Sequence, residues 1–228
     1  MDDRTFTCLP RTPGLRAATF SAFLISIAPL VNAHPHVFVD GGIDFVFAED
    51  GALQAVELTW LYDEFETLYM ISRYGLNLNS KGALGDEERL KLIEKLRVFP
   101  EDFDGSAHLS LDDEAVELDW PKDLDGRLLD GRLQVTFMRD LTTPLYVEGK
   151  EIKAAFYEST YFFAFKITNA PKILGHPGAC QTEVIPFSPD PNDASLFAKL
   201  ASLSREEKPE DENVGAQFAD RISLRCAP

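Results

Sequence analysis

Between Val37 and Phe47 every second residue is apolar or glycine. Val37, Val39, Gly41, Ile43, Phe45 and Phe47 share one face, while His36, Asp40 and Asp44 take alternate positions. A period of two marks a strand with one buried face. Asp50-Gly51 then supplies a two-residue turn, and Val56, Leu58, Trp60 and Tyr62 form the inner face of a returning strand. With Asp50 and Gly51 as the loop, Phe45 faces Val56, Ile43 faces Leu58, Gly41 faces Trp60 and Val39 faces Tyr62. The apolar faces coincide in this register, and the smallest residue meets the largest. A slip of one residue would put polar side chains in the core. Gly41-Gly42 is a candidate bulge in the same strand.

The period then lengthens. Residues 65–74 carry Leu68, Ile71 and Ser72 at helical spacing, with Gly75 as the stop. Residues 86–99 predict a second helix, capped by Asp86, striped by Leu90, Ile93 and Leu96, and followed by Pro100. Strand patterns return over 107–111 and 115–120 around an Asp-Asp-Glu turn, and again over 132–139, 151–157, 160–167 and 180–186. Residues 193–204 form a third helix with Leu196, Phe197, Leu200 and Leu203 inward, then a polar, acidic loop leads to a last strand over 217–226. No internal repeat and no Gly/Ser linker divides the chain. The fold class is α+β: mostly antiparallel β-sheet, sandwich-like, with inserted helices.

The first 33 residues stand apart from this pattern. Arg4, Arg11 and Arg16 precede an uncharged apolar run from Ala17 to Val31, and Val31-Asn32-Ala33 suits a cleavage site. These are the zones of a secretory signal, and the run is short of the ~20 residues that span a bilayer. The expected organisation is a cleaved signal over 1–33 and a single periplasmic domain over 34–228, with no membrane anchor after cleavage. The whole chain has a net charge of −16, and such a surface repels nucleic acid and anionic membrane. Cys180 and Cys226 remain after cleavage; in an oxidising compartment an isolated pair forms a disulfide.

The new N-terminus would read His34-Pro35-His36. A terminal histidine offers its amine and its imidazole Nδ1 in one chelate ring, and His36 adds a further nitrogen. Such ligands suit Zn, Ni, Co and Cu(II). Pro35 has no amide hydrogen, which excludes the planar mode that deprotonates the second amide, so other ligands must complete the shell. In the hairpin register His36 lies opposite Phe65, beside Asp63, Glu64 and Glu66. Asp63 and Glu64 are therefore candidate oxygen ligands, and equally candidates to cap the following helix. Glu158, set among aromatics with Tyr161, is a candidate ligand or a group that orients one. His108 and His176 read as structural or solvated. There is no Gly-x-Ser-x-Gly, no His-Glu-x-x-His and no phosphate-cradling glycine loop.

Several segments resemble a bacterial family known as domain of unknown function 1007, often labelled the periplasmic component of an uncharacterised ABC-type transport system. They are residues 34–40 (HPHVFVD), 60–64 (WLYDE), 156–161 (FYESTY), and 215–221 (GAQFADR) followed by Cys226. The resemblance covers nearly all of the chain after residue 33. The third segment usually reads Tyr-Asp-Pro-Thr-Tyr in that family; here Glu158-Ser159 replaces Asp-Pro. Members often accompany nickel/cobalt-type membrane exporters, which implies a metal role and a membrane metal transporter as partner. The expectation is a periplasmic accessory that binds a divalent transition metal (Zn, Ni, Co or Cu) through His34 and His36, with Asp63, Glu64 and Glu158 as helpers. Two rivals are a copper-dependent oxidoreductase built on the terminal histidine, favoured by a nearby His108 or His176, and a metal-free structural or assembly factor.

Overall fold

The computed structural model describes residues 34–99, 103, 105–190, 193–204 and 207–228. The expected signal and the expected helix stop at Pro100 lie outside the described residues. The α+β class holds: two mostly antiparallel sheets are joined by helical insertions. The first sheet has the order β5-β6-β2-β1-β8, with β9 also pairing with β1. Its strands are β1 (Val37–Phe47), β2 (Leu53–Tyr62), β5 (Lys122–Leu129), β6 (Arg132–Leu145), β8 (Phe163–Ile167) and β9 (Ile173–Leu174). The second has the order β10-β11-β7-β3-β4, from β3 (Ala107–Leu111), β4 (Glu114–Val116), β7 (Glu151–Phe156), β10 (Cys180–Ile185) and β11 (Asp220–Cys226).

The inner faces form one core. Ile43, Phe45, Leu58 and Phe137 come from the first sheet, and Ile152, Phe156, Ile222 and Leu224 from the second. The hairpin register is as expected from Val39↔Tyr62 to Val46↔Ala55, with Gly41 opposite Trp60. The turn is longer than expected. Pairing shifts between Val46 and Phe47, and residues 48–52 form the loop, closed by Gly51 N–H to the Ala48 carbonyl at 3.1 Å. The irregularity is thus at the loop, and Gly41-Gly42 stays within regular pairing.

The helices start near the expected places; the third keeps most of its expected inner face, and the first two depart from theirs at Leu68 and Leu90. Helix α1 (Glu64–Arg73) buries Thr67 and Met70 and leaves Leu68 64% exposed. Thr67 takes the inner position because its Oγ1 accepts the Leu133 N–H at 2.9 Å, which ties the helix to β6. Helix α2 (Asp86–Leu96) has Gly85 at its N-cap, with no side-chain cap, so Asp86 is in the first turn and not the cap. It buries Leu92, and Leu90 is exposed. Gly126 of β5 makes the room: a Cβ there would stand 2.6 Å from Leu92 Cδ2. Strand β5 is not among the expected strands, although Leu124, Gly126 and Leu128 alternate with polar residues; it pairs with β6 through the Asp130-Gly131 turn. Helix α3 (Ala194–Ser202) buries Leu200, with Leu196 and Leu203 partly covered and Phe197 exposed. β11 begins later than expected, after a 3-10 turn over Val214–Phe218.

Candidate functional site

Asp63 closes the chain at one end of the first sheet. Its Oδ1 accepts the Glu66 N–H at 2.8 Å, capping α1, and its Oδ2 accepts the Phe38 N–H at 2.8 Å. The Asp63 N–H in turn goes to the Phe38 carbonyl at 2.9 Å. The start of β1 is thereby pinned to the exit of β2. Arg132 braces the same corner, donating to the Tyr62 and Leu61 carbonyls and pairing with Asp40 at 2.8 Å.

The two histidines sit just before β1. The His34-Pro35 peptide is cis. The His34 and His36 rings lie 4.9 Å apart, centre to centre, and both contact the Phe162 ring, at 6.1 and 4.9 Å. The backbone is held as well: the His36 and Val37 N–H groups both donate to the Phe162 carbonyl, at 2.9 and 3.2 Å. His34 is only 6% exposed, and its Nδ1 is buried without a hydrogen bond. Burial pulls the His34 pKa below the ordinary histidine value, against a smaller upward pull from the Glu158 carboxylate. The imidazole is therefore biased to the neutral form.

Glu158 builds the floor under this pair. Its carboxylate accepts the Thr160 N–H at 2.8 Å, the Thr160 hydroxyl at 3.1 Å and the Phe162 N–H at 2.9 Å. The loop turns through Tyr161, whose φ is +59°. Gly215 closes against it from the 3-10 turn. Its N–H donates to the Ser159 carbonyl at 2.8 Å, and a Cβ there would stand 1.9 Å from the Glu158 carbonyl oxygen. No side chain but hydrogen fits.

The expected ligands thus divide. His34 and His36 are brought together. Asp63 and Glu158 lie in the same corner with their oxygens on backbone N–H groups. Glu64 is an exposed residue of the first turn of α1. Among the described residues no group of three His, Cys, Asp or Glu side chains is arranged to hold a metal ion. His108 stacks on Tyr157 at 3.8 Å, with its Nε2 3.1 Å from the Tyr157 carbonyl, and His176 is exposed between β9 and β10. The expected disulfide is present: Cys180 and Cys226 are bonded across the directly paired ends of β10 and β11.

A family profile described as "Protein of unknown function (DUF1007)" matches residues 19–226. The chain belongs to that family. An uncharacterised protein of Haemophilus influenzae is 24% identical to it over 201 residues, which is 86% of this chain and 92% of the relative. In this DUF1007 protein the four segments that carry the resemblance, far apart in sequence, meet at the corner just described. HPHVFVD supplies the histidines and the first strand, and WLYDE supplies the cap. FYESTY supplies the floor, and GAQFADR supplies the glycine beneath it.

The same corner opens on a cavity of about 370 Å³ that periodicity alone did not reveal. Trp60, Tyr62, Glu66, Met70, Phe162 and Phe165 are among its lining residues. Tyr62 is fully buried, and desolvation with the nearby Glu66 charge pushes its phenol far above the usual range. The signal available in the sequence was the Trp60-Leu61-Tyr62 run ahead of the Asp63 cap, which places two aromatics and the first turn of a helix around one space.

Proposed function

We propose that this protein is an exported accessory of a membrane transporter, and that it binds a divalent transition metal (Zn, Ni, Co or Cu) through His34 and His36. The observation that carries the reading is the pair of neighbouring imidazoles with a buried, unbonded Nδ1 on His34. A buried polar atom without a partner is costly, and a ligating nitrogen gains one on binding a cation. Neutral imidazole is the ligating form, and burial of His34 favours it. The residues fit an intermediate-softness ion. Bound there, the metal would be cargo.

Two imidazoles leave positions for the α-amine that cleavage before His34 would expose, for water, or for a group of the partner. A closed four-ligand set holds metal as structure, whereas an open one exchanges it. Exchange is what a carrier needs. Asp63 and Glu158 support the site by fixing the strand and loop that present the histidines. The Cys180–Cys226 bond supports an oxidising compartment, and among the described residues no helix is long and apolar enough to cross a membrane.

The test is titration of Zn, Ni, Co and Cu(II) into chain that begins at His34. His34→Ala and His36→Ala should each weaken binding of the preferred ion at least tenfold, and one extra residue before His34 should weaken it by removing the amine chelate. Equal affinity in all of these proteins would show that the histidines are not the site.

A further inference from the structure

Helix α1 has two apolar faces, and the fold covers one of them. Thr67 and Met70 are buried, with Ile71 packed against the core beside them. On the opposite side, at helical spacing, stand Phe65, Leu68 and Tyr69, with the small, exposed Ser72 one turn beyond Leu68. Phe65 is 86% exposed, Leu68 64% and Tyr69 49%. An isolated exposed leucine is ordinary, whereas three large apolar side chains along one helix face form a patch that marks a contact surface.

The arrangement of the stripe points to its occupant. Glu64 lies in the first turn and Arg73 in the last, so the helix is acidic at its start and basic at its end. Arg73 sits 5.8 Å from the centre of the Tyr69 ring and donates to the Tyr69 hydroxyl at 3.2 Å, which orders both side chains at the rim of the patch. Two such helices packed parallel would bring like charges level at each end. Packed antiparallel about a twofold axis midway between Leu68 and Tyr69, they bring each acidic start level with the other's basic end, and their macrodipoles attract. In that register Phe65 stands over the second copy's small Ser72, and Leu68 over its Tyr69. The stripe is thus complementary to itself, which is the condition of an isologous contact. The helix is only about 15 Å long, so the contact is small and the association depends on protein concentration. The chain's net charge of −16 opposes it at long range, but physiological salt screens charges beyond about 8 Å.

We propose that the outer face of α1 is a contact between two copies of this chain, packed antiparallel through Phe65, Leu68 and Tyr69. The contact uses neither histidine and does not depend on metal binding.

Sedimentation velocity on the purified protein, in physiological salt with EDTA present and from about 1 μM to about 1 mM, tests this. The wild-type chain should pass from monomer to dimer across that range. Leu68→Asp should raise the dissociation constant at least tenfold and leave the melting temperature of the dilute monomer unchanged, because the side chain is exposed. Phe65→Asp, at the most exposed position, should do the same, and it decides the matter if Leu68→Asp disturbs folding. For the antiparallel register, a mixture of Phe65→Cys and Ser72→Cys proteins should form disulfide-linked dimers faster than either variant alone. A chain that stays monomeric throughout, as it would if the stripe seats a different protein, overturns the proposal. A dimer that both aspartate variants leave intact does so too, as does cross-linking within one cysteine variant as fast as in the mixture.

Discussion

At Gly41 the sequence and the structure give different reasons for the same residue. Pattern alone places it opposite Trp60, and it is there. The steric demand, however, comes from the neighbouring backbone: a Cβ would stand 1.8 Å from the Thr59 carbonyl oxygen. Backbone cannot swing aside as a side chain can. Gly41→Ala should therefore cost about 3 kcal/mol, the upper end of overpacking effects; a urea midpoint within error of wild type would contradict this. His34 gives a second prediction at this scale. Its folded pKa lies below the ordinary 6.5, with burial the larger cause. The folded state thus binds fewer protons than the unfolded chain. The stability contributed by the neutral form is complete above about pH 6.5 and is lost as pH falls from there through the folded value. As a ligand, the same imidazole stays neutral at lower pH than a solvent-exposed one. An NMR titration of the His34 ring should show a midpoint under 6.5, and a midpoint above it would refute the burial argument. The two histidines were legible in the sequence as a motif. Their burial was not, because it depends on Phe162, more than a hundred residues away.

Elements were legible where one face is apolar and the other polar. The first hairpin meets that condition, and its register followed. Helix α1 does not. A threonine is buried because β6 offers it an N–H, and Leu68 is exposed, so apolar spacing was right for Ile71, which packs on the core, and wrong for Leu68. Strand β5 was missed although KDLDGRLL alternates: its inner face is only Leu124, Leu128 and the glycine that admits Leu92, and it is paired on one side only. The double role of Asp63 was half legible. Capping was readable from its place before the helix, but the second oxygen, on Phe38, was not. Asp63→Ala removes both bonds. The expected loss is about 2 kcal/mol, the high end for an N-cap, measured as a lowered denaturation midpoint. Asp63→Asn, which keeps one acceptor oxygen, should lose less. If Asp63 acts through the scaffold, neither change should shift metal affinity by the tenfold expected of the histidine variants, provided the measurement is made where both proteins are folded.

At the scale of the whole molecule, the two cysteines join the edge strand β10 to β11, a strand paired on both sides. The enclosed segment contains α3, whose small cluster around Leu200, Val214 and Phe218 is separate from the main core. The disulfide was legible from cysteine number and the expected export; the cross-strand pairing of Cys180 with Cys226 needed the sheet order. The bond spans a sequence separation of 46 residues. In the loop-entropy account, closing a loop of that length is worth about 4 kcal/mol, through restriction of the unfolded chain. Its local effect in the folded state should follow the topology. Once the bond is reduced, β10 keeps a strand on one side only, whereas β1 stays paired with β2, β8 and β9 in the other sheet. Reduction should therefore lower the melting temperature and raise amide exchange first over β10 and α3, with the β1–β2 hairpin among the last protected segments. Hydrogen exchange on oxidised and reduced protein, read segment by segment, decides it. Loss of protection in the hairpin before β10 would mean that the two sheets open in the opposite order. An unchanged melting temperature would mean that the bond does not constrain the unfolded chain as its length requires.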